Sequence, residues 1–379
     1  MPATPGPDSS SDQSSAPVAP STPQPGAEHE TAAAARAQTR DLANPAQIRL
    51  VATTAAERRV ARVLAMEPGG RPTLSARIAN RVIKSMMKTA WQYGPETDAG
   101  LIRIRRATDL MARLEIIPRG VAITPQDLGT CTAEWVRAGA PDDSKALLYL
   151  HGGGYFFGSP RLYRPFNWRL SASTRRSVLA LDYRLAPHHT PADALEDALG
   201  AYDYLLAQGY EPSNIVVGGD SAGGHLTLAL LLALKQRGGP LPESAFALSP
   251  WVDLLCQSQS HQLNRQSDSL IPAGKLAWLG REFCRDKEEN DPLFSPLRAD
   301  LSGLPPLLFI ASSTEILRDE TRDVAERARA AGVPAVYQEW DGLVHVFPVF
   351  ADYVPEGKAA FRHIAEFIQA SSLGGPAGQ

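Results

Sequence analysis

Ser221 stands in Gly219-Asp220-Ser221-Ala222-Gly223, between a short β-type run, Ile215 to Val217, and a helical run that begins near Ala222. A serine on a tight strand-to-helix turn is presented as a nucleophile, and glycines two positions to either side let the crossing backbones approach. The first turn of the following helix adds partial positive charge near the serine oxygen. A second glycine cluster, His151-Gly152-Gly153-Gly154-Tyr155, follows the β-type run Ala146 to Leu150. Acyl transfer needs backbone N–H groups where a carbonyl oxygen becomes an oxyanion. Consecutive glycines can aim such groups, and the Ala222 N–H can supply another from the serine turn.

A serine nucleophile needs a base, and the base needs a carboxylate to fix its tautomer. Of eight histidines, His345 is the one in a short loop, Asp341-Gly342-Leu343-Val344-His345, between the last β-type and the last helical run. His151 belongs to the glycine cluster and His225 to the helix after the serine, while His29, His261 and His363 have no supporting pattern. Adjacent His188 and His189 lack the helical spacing of a metal site. With the acid expected between serine and histidine in chain order, the segment after the run Leu307 to Ile310 offers Glu315, Asp319 and Glu320. Glu315 is nearest the strand end and is the expected acid. Asp319 is the alternative, its other role being to favour a helix N-terminus.

Side chains this far apart in sequence must be brought together by a scaffold. Ala146 to Leu150, Val178 to Leu181, Ile215 to Val217, Ala245 to Leu248, Leu307 to Ile310 and Val336 to Trp340 read as strands. Asp193 to Leu206, Ala222 to Lys235, Thr321 to Ala331 and Lys358 to Ala370 read as helices. That alternation predicts an α/β domain over 115–374, its mostly parallel sheet flanked by helices, with a further helix inserted at about 273–284. Upstream, Leu74, Ile78, Val82, Ile83, Met86, Met87 and Ala90, and then Leu101, Ile104, Ala107, Leu110, Met111 and Leu114, recur at threes and fours. They predict amphipathic helices within 45–114, bounded by Pro72 and by Gly94-Pro95. Residues 1–44, rich in Pro, Ser and Ala, are expected to be a disordered tail.

The composition narrows the function. Of 379 residues, 38 are Lys or Arg and 41 Asp or Glu, a net charge of -3 that gives no general reason to expect nucleic acid or an acidic membrane face. The longest strongly apolar run, Leu226 to Leu234, falls short of the roughly 18 residues that span a bilayer, so no membrane span is expected. Met1 to Ser15 has neither a basic nor an apolar signal region, which makes cytoplasm the expected compartment. Cys131, Cys256 and Cys284 are an odd set at wide spacing, and neither a disulfide framework nor a zinc site is expected.

Six motifs in order, HGGGY, DYRLAP (Asp182 to Pro187), GDSAGG (Gly219 to Gly224), DPLFSPL (Asp291 to Leu297), EILRDE (Glu315 to Glu320) and DGLVHVF (Asp341 to Phe347), give the chain a family likeness. Over about residues 125–370 it resembles the hormone-sensitive-lipase-like family of bacterial α/β-hydrolase esterases. The resemblance implies the α/β-hydrolase fold with a helical cap, formed here by the helices of 45–114 and 273–284. It implies a carboxylic ester hydrolase without metal or cofactor, acting on short- to medium-chain acyl esters. Ser221 would be the nucleophile, His345 the base, and Gly153, Gly154 and Ala222 the oxyanion donors. Trp91, Tyr93, Tyr155 and Phe156 would line an apolar acyl pocket. Two positions depart from the family pattern: most relatives have Asp where Glu315 stands, and Glu where His188 stands.

Three other activities are compatible with the same fold. A lactonase or an acyltransferase needs the same triad. A non-catalytic small-molecule receptor needs no base, and His345 argues against it. The last strand, Val336 to Trp340, is expected at a sheet edge, where pairing with a second copy would give a homodimer.

Overall fold

The computed structural model describes residues 71–372 apart from 95, 115, 286–290 and 292–293. The expected tail over 1–44, the first part of the helical segment over 45–70, Pro95, and the Pro292-Leu293 pair of one motif lie outside the described residues. Eight strands form one sheet: β1 (Ala122–Asp127), β2 (Thr132–Arg137), β3 (Asp142–Leu150), β4 (Arg176–Asp182), β5 (Ile215–Asp220), β6 (Ser244–Leu248), β7 (Leu307–Ser312) and β8 (Ala335–Trp340). Their order across the sheet is β1-β2-β4-β3-β5-β6-β7-β8. From β4 to β8 every neighbour is parallel, while β2 runs antiparallel to both β1 and β4. β8 is an edge, as its place last in the sequence implies.

The helices are α1 (Leu74–Ile83), which runs through a wider turn at Lys84–Lys88 into α2 (Thr89–Gln92), then α3 (Asp98–Met111), α4 (Arg164–Thr174), α5 (Pro191–Ala207), α6 (Ala222–Gln236), α7 (Ser260–Leu263), α8 (Ala273–Phe283), α9 (Arg318–Ala330) and α10 (Pro355–Ser372). All six parallel strands coincide with runs that read as strands in the sequence. β1, β2 and α4 do not, and the reason is local. β1 is an edge strand with Pro125 inside it and no buried residue, and α4 buries only Phe166 and Leu170 among its large apolar side chains.

Alternation along the strands sends side chains to two cores. Leu148, Leu150, Leu179, Val217 and Phe309 pack with Leu205, Leu226, Leu230 and Val324 of α5, α6 and α9. Leu147, Tyr149, Val178, Phe246 and Ile310 pack on the other face with Phe166 of α4 and Phe361, Ile364 and Phe367 of α10. A sheet buried on both faces explains why its strands read as unbroken apolar runs.

α1, α2 and α3 are tied to loops that leave the C-terminal ends of the strands. Asn80 Nδ2 donates to Gly342 O at 2.6 Å, and Lys88 Nζ donates to Asp268 O at 2.6 Å and Arg265 O at 2.9 Å. Arg105 Nε donates to Phe156 O at 2.9 Å, and its Nη2 donates to Ala186 O. Lys275 of α8 donates to Gly94 O at 2.5 Å, joining the inserted helix to the N-terminal ones.

Candidate active site

The residues singled out in the sequence leave the same end of the sheet, each just past its own strand, where α/β sites are built. Ser221 follows β5 with φ +52° and ψ -118°, a conformation costly for any residue with a Cβ. Two backbone bonds to the end of β6 hold it there: Ser221 N–H donates to Leu248 O at 2.8 Å, and Trp251 N–H donates to Ser221 O at 3.1 Å. A Cβ on Gly223 would strike the Leu150 and His151 carbonyls, so this glycine lets α6 start against the end of β3.

Past β7, Glu315 is buried and its oxygens are divided. Oε2 meets His345 Nδ1 at 2.7 Å, while Oε1 accepts from Ser312 N–H at 2.7 Å and from Ser249 Oγ at 2.8 Å. His345 is buried too, and its Nε2 makes no hydrogen bond among the described residues. Burial opposes a charged imidazole here, but the Glu315 carboxylate and its hydrogen bond outweigh it, helped by Asp268 and Asp220, and the His345 pKa is raised. Asp319 does not join this pair. It starts α9 and is bridged to Arg318 at 2.8 Å and Arg322 at 3.2 Å. Glu320 meets His261 Nε2 at 2.9 Å and accepts the Val252 N–H at 2.8 Å.

The glycine cluster past β3 forms a tight turn, with Phe156 and Phe157 N–H both donating to Gly153 O at 3.1 Å. Gly153 has φ +119°, and a Cβ there would meet the Phe157 carbonyl. Among the described residues, the N–H groups of Gly153, Gly154 and Ala222 donate to no protein acceptor. The Gly152 N–H does have a partner: it donates to Asp220 Oδ1 at 2.8 Å. Asp220 also accepts from Tyr149 OH at 2.7 Å and Tyr163 OH at 2.8 Å, and burial pushes its carboxyl up to about 6. His151 stacks on Tyr183 with ring centroids 4.3 Å apart, and burial lowers its pKa to about 4. It is therefore neutral at pH 7 and packs as an aromatic.

The four aromatics expected to line a pocket occupy three different settings. Phe156 is buried with its ring 6.0 Å from half-buried Trp91. Tyr155 is a core residue whose hydroxyl meets His225 Nδ1 at 2.6 Å, and Tyr93 is exposed. The cysteines offer no rival nucleophile: burial pushes Cys131 up to about 12, Cys284 up to about 11, and Cys256 well above its ordinary value.

A family profile described as an alpha/beta hydrolase fold matches residues 147–349. An acetyl-hydrolase of Streptomyces hygroscopicus is 36% identical over 77% of this chain and 96% of its own length. The chain belongs to the hormone-sensitive-lipase-like family of bacterial α/β-hydrolase esterases. The esterase LipU of Mycobacterium tuberculosis is 32% identical over 74% of this chain and 94% of its own. The crystal structure of an esterase from the bacterial hormone-sensitive lipase family superposes with a TM-score of 0.73 at 35% identity, covering 80% of this chain and 99% of the other.

In this hormone-sensitive-lipase-like chain, sequence reading overlooked two residues that hold the others. Asp220 lies inside the quoted GDSAGG motif, but only the fold brings Gly152, Tyr149 and Tyr163 to it. Ser249, one residue past β6 with φ +45°, had no motif to mark it.

Proposed function

We propose that this protein is a carboxylic ester hydrolase that works through an acyl-enzyme on Ser221, with His345 as base and Glu315 as the acid that orients it. The 2.7 Å contact between Glu315 Oε2 and His345 Nδ1 carries this reading. It fixes the tautomer that leaves Nε2 to take the serine proton. Ser221 Oγ attacks the ester carbonyl as that proton moves to His345, and the carbonyl oxygen becomes an oxyanion received by the Gly153, Gly154 and Ala222 N–H groups. His345 returns the proton to the leaving alcohol, and water repeats the cycle to release the acid.

α1 to α3 and α8 act as a cap over this site, consistent with their hydrogen bonds to Gly342, Phe156 and Asp268. Trp91 packed on Phe156 beside the glycine turn gives that cap an apolar underside suited to short and medium acyl chains. The test is hydrolysis of p-nitrophenyl esters from acetate to palmitate, comparing wild type with Ser221→Ala. Turnover that peaks at short or medium chains and falls by roughly 10⁴-fold or more in the variant is expected. A folded wild type inert on every chain length would overturn the catalytic reading.

A further inference from the structure

Among the described residues, twelve large apolar side chains are exposed, and ten of them lie between Leu74 and Ile116. On α1 the exposure is ordered. Leu74, Ile78 and Val82, four residues apart, are 65%, 55% and 50% exposed, as is Met86 in the wider turn that follows at 68%, while Ala76 and Ile83 are the buried pair. At 100° per residue the row on α1 lies nearly opposite that pair, so α1 turns Leu74, Ile78 and Val82 to solvent and Ala76 and Ile83 to the protein. Leu110, Met111, Leu114 and Ile116, at and beyond the end of α3, are exposed as well.

The same stretch carries a charge unlike the rest of the chain. Residues 71–119 contain ten Lys and Arg against four Asp and Glu, a net +6, whereas the whole chain is -3, which leaves -9 elsewhere. Eight of the ten, Arg71, Arg77, Arg81, Lys84, Arg103, Arg106, Arg113 and Arg119, are exposed. Arg77 and Arg81 flank the apolar row on α1 at helical spacing. Basic side chains beside an outward apolar row are what a helix lying in a lipid headgroup layer requires: the row enters the acyl boundary and the cations meet phosphate. A second copy of the same face would set Arg77 and Arg81 against like charge, so charge complementarity favours an anionic partner over self-pairing.

We infer that α1, with the wider turn that follows it, forms a docking surface for an anionic lipid bilayer. Among the described residues no helix is long and apolar enough to cross a membrane, so the association is one of surface contact. It is read by binding alone and is independent of ester turnover.

The test is co-flotation of the full chain with vesicles of phosphatidylcholine, with and without 30 mol% (about a third) phosphatidylglycerol, at low and high salt. Binding to the anionic vesicles at least ~10-fold above the neutral ones, weakening as salt is raised, is expected. Ile78→Ser with Val82→Ser and Met86→Ser should abolish it, and Arg77→Gln with Arg81→Gln should weaken it several-fold. These side chains are exposed, so the variants should keep the wild-type circular dichroism. Leu263→Ser, at an exposed leucine outside this stretch, should bind like wild type. Equal flotation of wild type and the triple serine variant would overturn the inference. So would no flotation with either vesicle, including the case where sedimentation shows the triple variant dissociating an oligomer.

Discussion

Ser249 Oγ donates to Glu315 Oε1 at 2.8 Å, one residue after the carbonyl of Leu248 accepts the Ser221 N–H. The end of β6 therefore holds Glu315, the proposed acid, and the serine turn at once, although neither belongs to that strand. The consequence can be measured. Glu315→Ala should lower kcat by about 10³-fold or more, as expected when the base loses its orienting acid. Ser249→Ala should cost about 10-fold, the loss of one hydrogen bond to a charged group. Asp319→Ala, which removes only the ion pairs to Arg318 and Arg322, should stay within about 3-fold in kcat. A collapse in Asp319→Ala with Glu315→Ala active would reverse the assignment.

Asp220 carries the glycine turn through Gly152. Asp220→Ala leaves the Gly152 N–H and two tyrosine hydroxyls without their acceptor, and kcat should fall by about 10²-fold with KM little changed. Asp220→Asn keeps one oxygen able to accept from Gly152, and should recover part of the loss. Steady-state kinetics of the two variants decide the matter. Equal loss in both would mean that the carboxylate acts by charge and not by holding the turn.

The pH profile has a definite sign. As the proposed base, His345 must be neutral to accept the serine proton, and its pKa is raised by Glu315 against the effect of burial. The acid limb of kcat/KM should therefore lie above about 6.5, with activity rising into mildly alkaline pH. Removing negative charge beside the ring leaves burial less opposed, so Asp268→Asn should move the limb to lower pH, and Glu315→Gln should move it further. An acid limb that stays in place in both variants would mean that another group titrates.

Ser221 is held at φ +52°, and its strain should be recoverable as stability. Ser221→Gly abolishes turnover and relieves a backbone cost of about 1 kcal/mol, so Tm should rise by about 2 °C. Ser221→Ala is equally inactive but keeps a Cβ, so it should melt close to wild type. Thermal melts of the two inactive variants separate strain from chemistry. Identical Tm values in both would show that the turn stores nothing.

The sequence by itself determined the parallel strands and the motif-bearing loops, because a sheet buried on both faces demands unbroken apolar runs and the loops fall at their ends. It also singled out Ser221 and His345, and narrowed the acid to Glu315 or Asp319, since residue type and chain order are written in the sequence. The antiparallel strands β1 and β2 escaped it: β1, the edge, buries no residue, and β2 mixes buried Ala133, Trp135 and Val136 with polar side chains. Only tertiary structure set Glu315 and not Asp319 beside His345, for both lie in one short segment and the direction of each carboxylate depends on how α9 begins. Only tertiary structure brought Asp220 to Gly152 and Ser249 to Glu315, contacts 68 and 66 residues apart in the chain. The orientation of α1 is the clearest case. Helical periodicity marked Leu74, Ile78 and Val82 as one face, but a period carries no direction, and packing alone turned that face outward.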